Sequence, residues 1–224
     1  MNDQVEARET TVTQPRKARR WGSASILIAF VIVAVAAVAW FGGAGGGSTP
    51  PAPSTAARTA AIGSRARFTY LAAQHSNYCS LDRATVSGYA DVQHMQGACC
   101  DAMDMDKYQH QVAALRQYSG LAEIPTDPYD IRAKQAKRLL ADDTAITLAG
   151  ADKATYDRAM KLTDDKGPCC CQCWRWYMTQ GLDKALITRR QMSAQQVAEI
   201  TDLVNGCGGP LGSTPTDSGM QPSS

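Results

Sequence analysis

Apolar residues downstream of residue 65 recur at intervals of three and four, a spacing that predicts a succession of amphipathic helices. Tyr108, Val112 and Leu115 share one face, and Gly120 beyond them supplies a stop. A second helix is expected from Asp127-Pro128, an N-cap followed by proline at the first helical position, with Tyr129, Ala133, Ala136 and Leu140 facing inward. Tyr156 and Met160 indicate a third between Ala151 and Leu162, closed by Lys166-Gly167. A fourth runs through Trp174, Met178, Leu182, Ala185 and Leu186. The last is the best marked: Ser193 and Gln196 form a capping box, Val197, Ile200, Leu203 and Val204 make the apolar face, and Asn205-Gly206 ends it. An earlier helix is expected around Ala66 to Ser76, carrying Phe68 and Leu71. No run alternates apolar and polar positions for long enough to read as a strand, so the expected fold class is all-α, a cysteine-rich helical bundle.

A different pattern precedes the bundle. From Trp21 to Phe41 the chain is almost wholly apolar, long enough for one transmembrane helix, with Trp21 and Trp40 placed for the two interfaces. Arg16, Lys17, Arg19 and Arg20 stand before it, and the positive-inside rule then predicts a single-pass protein of the cell membrane with a cytoplasmic N-terminus and an extracytoplasmic C-terminal domain. A cleaved signal peptide is the competing reading, since Ala37-Val38-Ala39 suits a cleavage site, but the apolar run exceeds the ~7–15 residues usual for one. The organisation expected is a basic tail over residues 1–20, the span over 21–41, a Gly/Pro/Ser-rich linker over 42–64, the helical domain over 65–209, and a polar tail over 210–224.

Charge narrows the partners. The chain holds 23 basic and 21 acidic residues, of which five and three lie in the first 20, leaving 18 of each. A balanced domain argues against nucleic acid, which demands a basic surface; the partners expected are the membrane and another membrane or extracytoplasmic protein.

The chemistry is concentrated in eight cysteines, all between Cys79 and Cys207. They stand as Cys79, Cys99-Cys100, Cys169-Cys170-Cys171-Gln172-Cys173 and Cys207. Three readings follow. A disulfide framework pairs the four clustered cysteines with the other four, Cys79 and Cys207 being natural candidates. A metal site uses Cys99, Cys100, Cys169, Cys170, Cys171 and Cys173 as thiolates, with His94, Met103 and Met105 nearby as further soft or borderline donors. Such a set favours copper as Cu(I), with zinc as the alternative. A dithiol redox centre uses the C-x-x-C of Cys170 and Cys173 at a helix start, where the thiolate is favoured, although the strand–helix alternation of a thioredoxin-like domain is missing.

Other chemistry has no foothold. There is no C-x-x-C-H, G-x-S-x-G or H-E-x-x-H, and Asp101, Asp104 and Asp106 lack the glycine and final glutamate of a calcium loop, reading instead as a solvated helix start. No catalytic residue is assigned, and the reading leans away from an enzyme. Trp174-Arg175-Trp176-Tyr177 is expected to bury the cysteines, with a partner-binding patch as the alternative.

Pro168-Cys169-Cys170-Cys171-Gln172-Cys173 resembles the P-C-Y-C-x-C signature of bacterial extracytoplasmic cysteine-rich proteins, with Cys170 where those proteins usually carry tyrosine. The resemblance covers six residues and implies Cys169, Cys171 and Cys173 as motif thiols, a place at the outer face of the membrane, and metal or thiol chemistry. The chain departs from it in lacking a lipoprotein cysteine and in following the motif with Trp174-Arg175-Trp176-Tyr177. The function expected is soft-metal binding, Cu(I) foremost, as a chaperone, buffer or sensor; the alternatives are a disulfide-stapled interaction domain and a dithiol redox protein.

Overall fold

A computed structural model describes residues 55–212; the expected basic tail, the expected transmembrane span, the linker before Thr55 and the tail beyond residue 212 lie outside the described residues. Eight α-helices follow in order: α1 (Thr55–Arg58), α2 (Arg65–Ala72), α3 (Arg83–Gly88), α4 (Met105–Leu115), α5 (Ala133–Ala145), α6 (Gly150–Leu162), α7 (Trp174–Arg190) and α8 (Ala194–Leu203). Two short strands, β1 (His94–Gln96) and β2 (Asp130–Arg132), stand between α3 and α4 and before α5.

Local chemistry sets the helix starts. Ser64, Asp82 and Asp104 each accept a hydrogen bond from a first-turn amide of α2, α3 and α4, and Ser193 with Gln196 completes the reciprocal capping box of α8. The helix expected at Asp127-Pro128 begins later. Asp127 accepts from the Tyr129 amide at 3.1 Å and so closes a turn, after which Asp130–Arg132 pairs antiparallel with His94–Gln96 and α5 starts at Ala133. The pairing sets Met95 opposite Ile131, and both side chains are fully buried, which three-residue strands achieve without a long alternating run.

Helices dominate, with one short two-stranded sheet between them, which fits the expected all-α class. The expected fold class is corrected on one point: among the described residues no helix is long and apolar enough to cross a membrane. The longest, α7, has 17 residues and carries Arg175, Asp183, Lys184, Arg189 and Arg190, whereas a span needs ~20 mostly apolar ones.

The main core lies between α5, α7 and α8, with α6 against α8. Leu139, Met178, Leu182, Leu186, Val197 and Ile200 are fully buried there, each side chain contributing about 1.5–3 kcal/mol. Gly181 brings α5 and α7 together: a Cβ at that position would sit 1.9 Å from the Leu139 carbonyl oxygen. A smaller aromatic core joins α2 to α4 through Tyr70, Leu71, Tyr108, Val112 and Tyr129. The segment after α1 docks on it, with the Gly63 amide donating to the Tyr108 hydroxyl at 3.2 Å.

Candidate metal centre

Four stretches of chain converge at the N-terminal end of α7. The first carries Cys79 and is tied down where the Trp174 amide donates to the Leu81 carbonyl at 3.0 Å. The second and fourth run side by side: the Cys99 amide donates to Gly206, the Cys100 and Asp101 amides to Cys207, and the Gly209 amide to Ala102, at 2.8–3.2 Å. Gly208 lies in the left-handed region at φ 85°, and a Cβ there would come within 2.1 Å of the Asp101 carbonyl oxygen, so only glycine permits this pairing. The third is the 163–173 loop, where the Thr163 hydroxyl bonds both the amide and the carbonyl of Gly167, and Cys173 occupies the N-cap of α7.

Buried polar anchors hold these stretches to the helical body. Arg175, 2% exposed, donates to the Val204 carbonyl at 3.3 Å and to the Pro128 carbonyl, and stacks on Trp174. Trp174 is fully buried and its indole donates to Asn77 at 3.1 Å. Asn205 accepts from the Cys207 amide at 2.9 Å and donates to Asp165 at 2.8 Å. Trp176 packs against the buried cluster of Cys99, Cys169 and Cys207 and rests on Gly167. The aromatic and arginine run after the cysteines is thus packing for the site.

All eight cysteines meet there. Sγ–Sγ separations are 2.7 Å for Cys79–Cys171, 3.1 Å for Cys170–Cys207, 3.2 Å for Cys169–Cys207, 3.4 Å for Cys100–Cys170, 3.5 Å for Cys99–Cys100 and 3.7 Å for Cys99–Cys207. Each exceeds the ~2.05 Å of a disulfide bond, and all eight are free thiols. Four sets of three have every sulfur within 4.8 Å of the others: Cys79, Cys100 and Cys171; Cys99, Cys100 and Cys207; Cys169, Cys170 and Cys207; Cys169, Cys171 and Cys173. Two thiolates on one ion at ~2.3 Å from the metal lie about 3.8 Å apart; the Cys99–Cys207, Cys99–Cys100 and Cys100–Cys170 separations are close to that spacing, and the three shorter ones would have to open on coordination. The first set faces outward, with Cys79 and Cys100 exposed, while Cys99, Cys169, Cys173 and Cys207 are buried.

Crowding sets the ionisation order. The Cys169 thiol is drawn well below the usual range because Cys170, and then Cys171, Cys173 and Cys207, donate to its sulfur. Cys100 is pushed up, foremost by its contact with Cys170, and Cys173 is pushed up, foremost by donating to Cys169. The Cys169 thiolate is therefore easy to form, and those of Cys100 and Cys173 are not, unless a cation compensates the charge. The amides that open α7 have no side-chain cap, and the helix dipole there also favours negative charge.

The non-cysteine donors go elsewhere. His94 Nδ1 is 2.6 Å from Asp130 Oδ1, and Asp130 also takes Arg67, in the wall of an open cavity of about 580 Å³ with Arg58 and Arg132. Met105 packs on the aromatic core. Met103 packs there too, but it also lines a cavity of about 280 Å³ with His75, Cys99 and Cys100. Cys79 and Cys207, set apart by spacing alone, stand inside the thiol cluster. No family model matches the chain, and neither a curated protein nor a solved structure is significantly similar to it.

Proposed function

We propose that this chain binds soft metal ions through its cysteine cluster, Cu(I) foremost, and acts as a chaperone, buffer or sensor for them. The observation that carries this reading is the convergence of eight thiols from four separate stretches into one set of overlapping three-sulfur groups. An all-sulfur donor set selects soft ions. Copper is preferred to zinc because the groups come in threes, which satisfy the low coordination number of Cu(I), whereas a structural zinc site takes four ligands. The residues fit the ion without His94, Met103 or Met105, so the thiolates alone would hold it, while Trp176 and Arg175 shape and shield the pocket.

The test is anaerobic Cu(I) titration of the reduced protein against a competing chelator, with thiols counted before and after. Retention of copper with protection of the thiols from alkylation supports the proposal; free exchange of copper to the chelator sinks it.

A disulfide-bearing form is the second reading, favoured by one pair: Cys79 and Cys171 approach to 2.7 Å near the surface. Loss of two titratable thiols on mild oxidation, absent in Cys79→Ser, would identify that bond.

A further inference from the structure

We propose that the eight sulfurs form a closed ring holding four Cu(I) ions, each bound by three thiolates, so that the site is a polynuclear cluster and not a single-ion carrier. This rests on the copper reading above and deepens it. The four three-sulfur groups are linked corner to corner. Cys100 belongs to the group with Cys79 and Cys171 and to the group with Cys99 and Cys207. Cys207 joins that second group to the one with Cys169 and Cys170. Cys169 joins the third to the group with Cys171 and Cys173, and Cys171 returns to the first. Cys100, Cys207, Cys169 and Cys171 are thus each shared by two groups, while Cys79, Cys99, Cys170 and Cys173 each serve one.

Thiolate sulfur keeps enough lone pairs to bridge two soft ions, and univalent copper suits such bridging because neighbouring ions repel only as single charges. Eight thiolates and four univalent ions leave the ring with four negative charges, and formation releases about two protons per ion as the thiols ionise. The N-terminal end of α7, which opens directly after Cys173, favours negative charge through the helix dipole. Divalent zinc does not fill the same arrangement, since four-coordinate ions at every corner need more sulfur than the ring offers. Sharing also makes filling cooperative: the first ion fixes two sulfurs that its neighbours need.

The experiment titrates the reduced, full-length protein with Cu(I) alone under argon, following bound copper against a chelator, proton release, and X-ray absorption at the copper edge. The expected result is saturation at four ions per chain, three sulfurs around each copper, and a copper–copper scattering shell. Saturation at a single ion with no copper–copper shell overturns the ring and leaves the copper reading standing; no retention at all overturns both. Cys207→Ser, which opens two groups, should halve capacity, whereas Cys79→Ser should cost at most one ion. Equal losses in the two variants would sink the ring. The absorption data on the unaltered chain decide the matter should either variant fail to fold.

Discussion

Between α5 and α7 the contact is made by apolar side chains over a missing Cβ at Gly181, while at the foot of α7 the chain is held by backbone pairing, an arginine and two tryptophans. The first region stores stability: Leu139, Leu182 and Leu186 would be buried with or without any ligand. The second spends it, because eight thiols are brought close while Cys100 and Cys173 are hindered from ionising by their neighbours. The lesson is that the sulfur geometry is imposed from outside. Helices fix Cys173, backbone pairing fixes Cys99, Cys100 and Cys207, and the thiol cluster is preorganised by groups other than its sulfurs.

The heaviest blow to that comparison is Gly181→Ala. Its new Cβ strikes the Leu139 carbonyl, and overpacking should cost roughly 3 kcal/mol or more, lowering urea stability and copper binding together. Copper binding that survives a collapsed helical body would show the two regions to be independent. Arg175→Leu should cost about 3 kcal/mol, since the Val204 and Pro128 carbonyls lose a charged donor, and copper should bind less tightly because Cys207 is no longer positioned. Gly208→Ala sharpens the division: about 2 kcal/mol of backbone strain at a position with φ 85° should disrupt the Cys100–Cys207 pairing. Far-ultraviolet circular dichroism should stay native while copper capacity falls; unchanged capacity would refute the role given to this pairing.

A pH scan tests the body alone. Asp183 is fully buried, accepts from Thr201 at 2.8 Å, has a second oxygen without a partner, and is pushed up to about 8 by burial. Its folded-state pKa lies above the unfolded one, so its contribution is complete below about 4 and is lost as pH rises through about 8. The slope is about 1.4 kcal/mol per pH unit, and Asp183→Asn should flatten the stability profile over that window in denaturant unfolding. The smallest effect belongs to His94→Ala, which should leave copper capacity unchanged, since His94 bonds Asp130 away from the sulfurs. A measurable loss would return the imidazole to the site.

Helices with a continuous apolar stripe were readable because period and burial coincide, as in Val197, Ile200 and Leu203 of α8 beneath its capping box. Strand β2 was not, because Asp127-Pro128 carries the same N-cap and proline signal whether the next residues coil or extend; the decision rests on pairing with His94–Gln96, more than 30 positions earlier. Helix α3 is too short, at six residues, to show a period. In the site, thiol chemistry and six of the eight clustered cysteines, Cys99, Cys100, Cys169, Cys170, Cys171 and Cys173, were legible, but the full set and its grouping were not. Cys79 and Cys207 look remote until the chain folds, and His94 and Met105 are neighbours of Cys99 in sequence that the sheet and the aromatic core draw away.

The order in which the ribosome delivers these residues has a consequence for handling the bare thiols. Cys79, Cys99 and Cys100 emerge early, yet each has a sulfur neighbour, Cys171, Cys207 and Cys170 in turn, that lies 92, 108 and 70 positions further along the chain. Contacts so distant in sequence form late, after slow loop closure. Until Cys207 arrives, a nascent chain exposes seven unpaired thiols without the backbone pairing that arranges them, and it is then most open to wrong disulfides and to scavenging by stray ions. Protection during synthesis must therefore come from the surroundings.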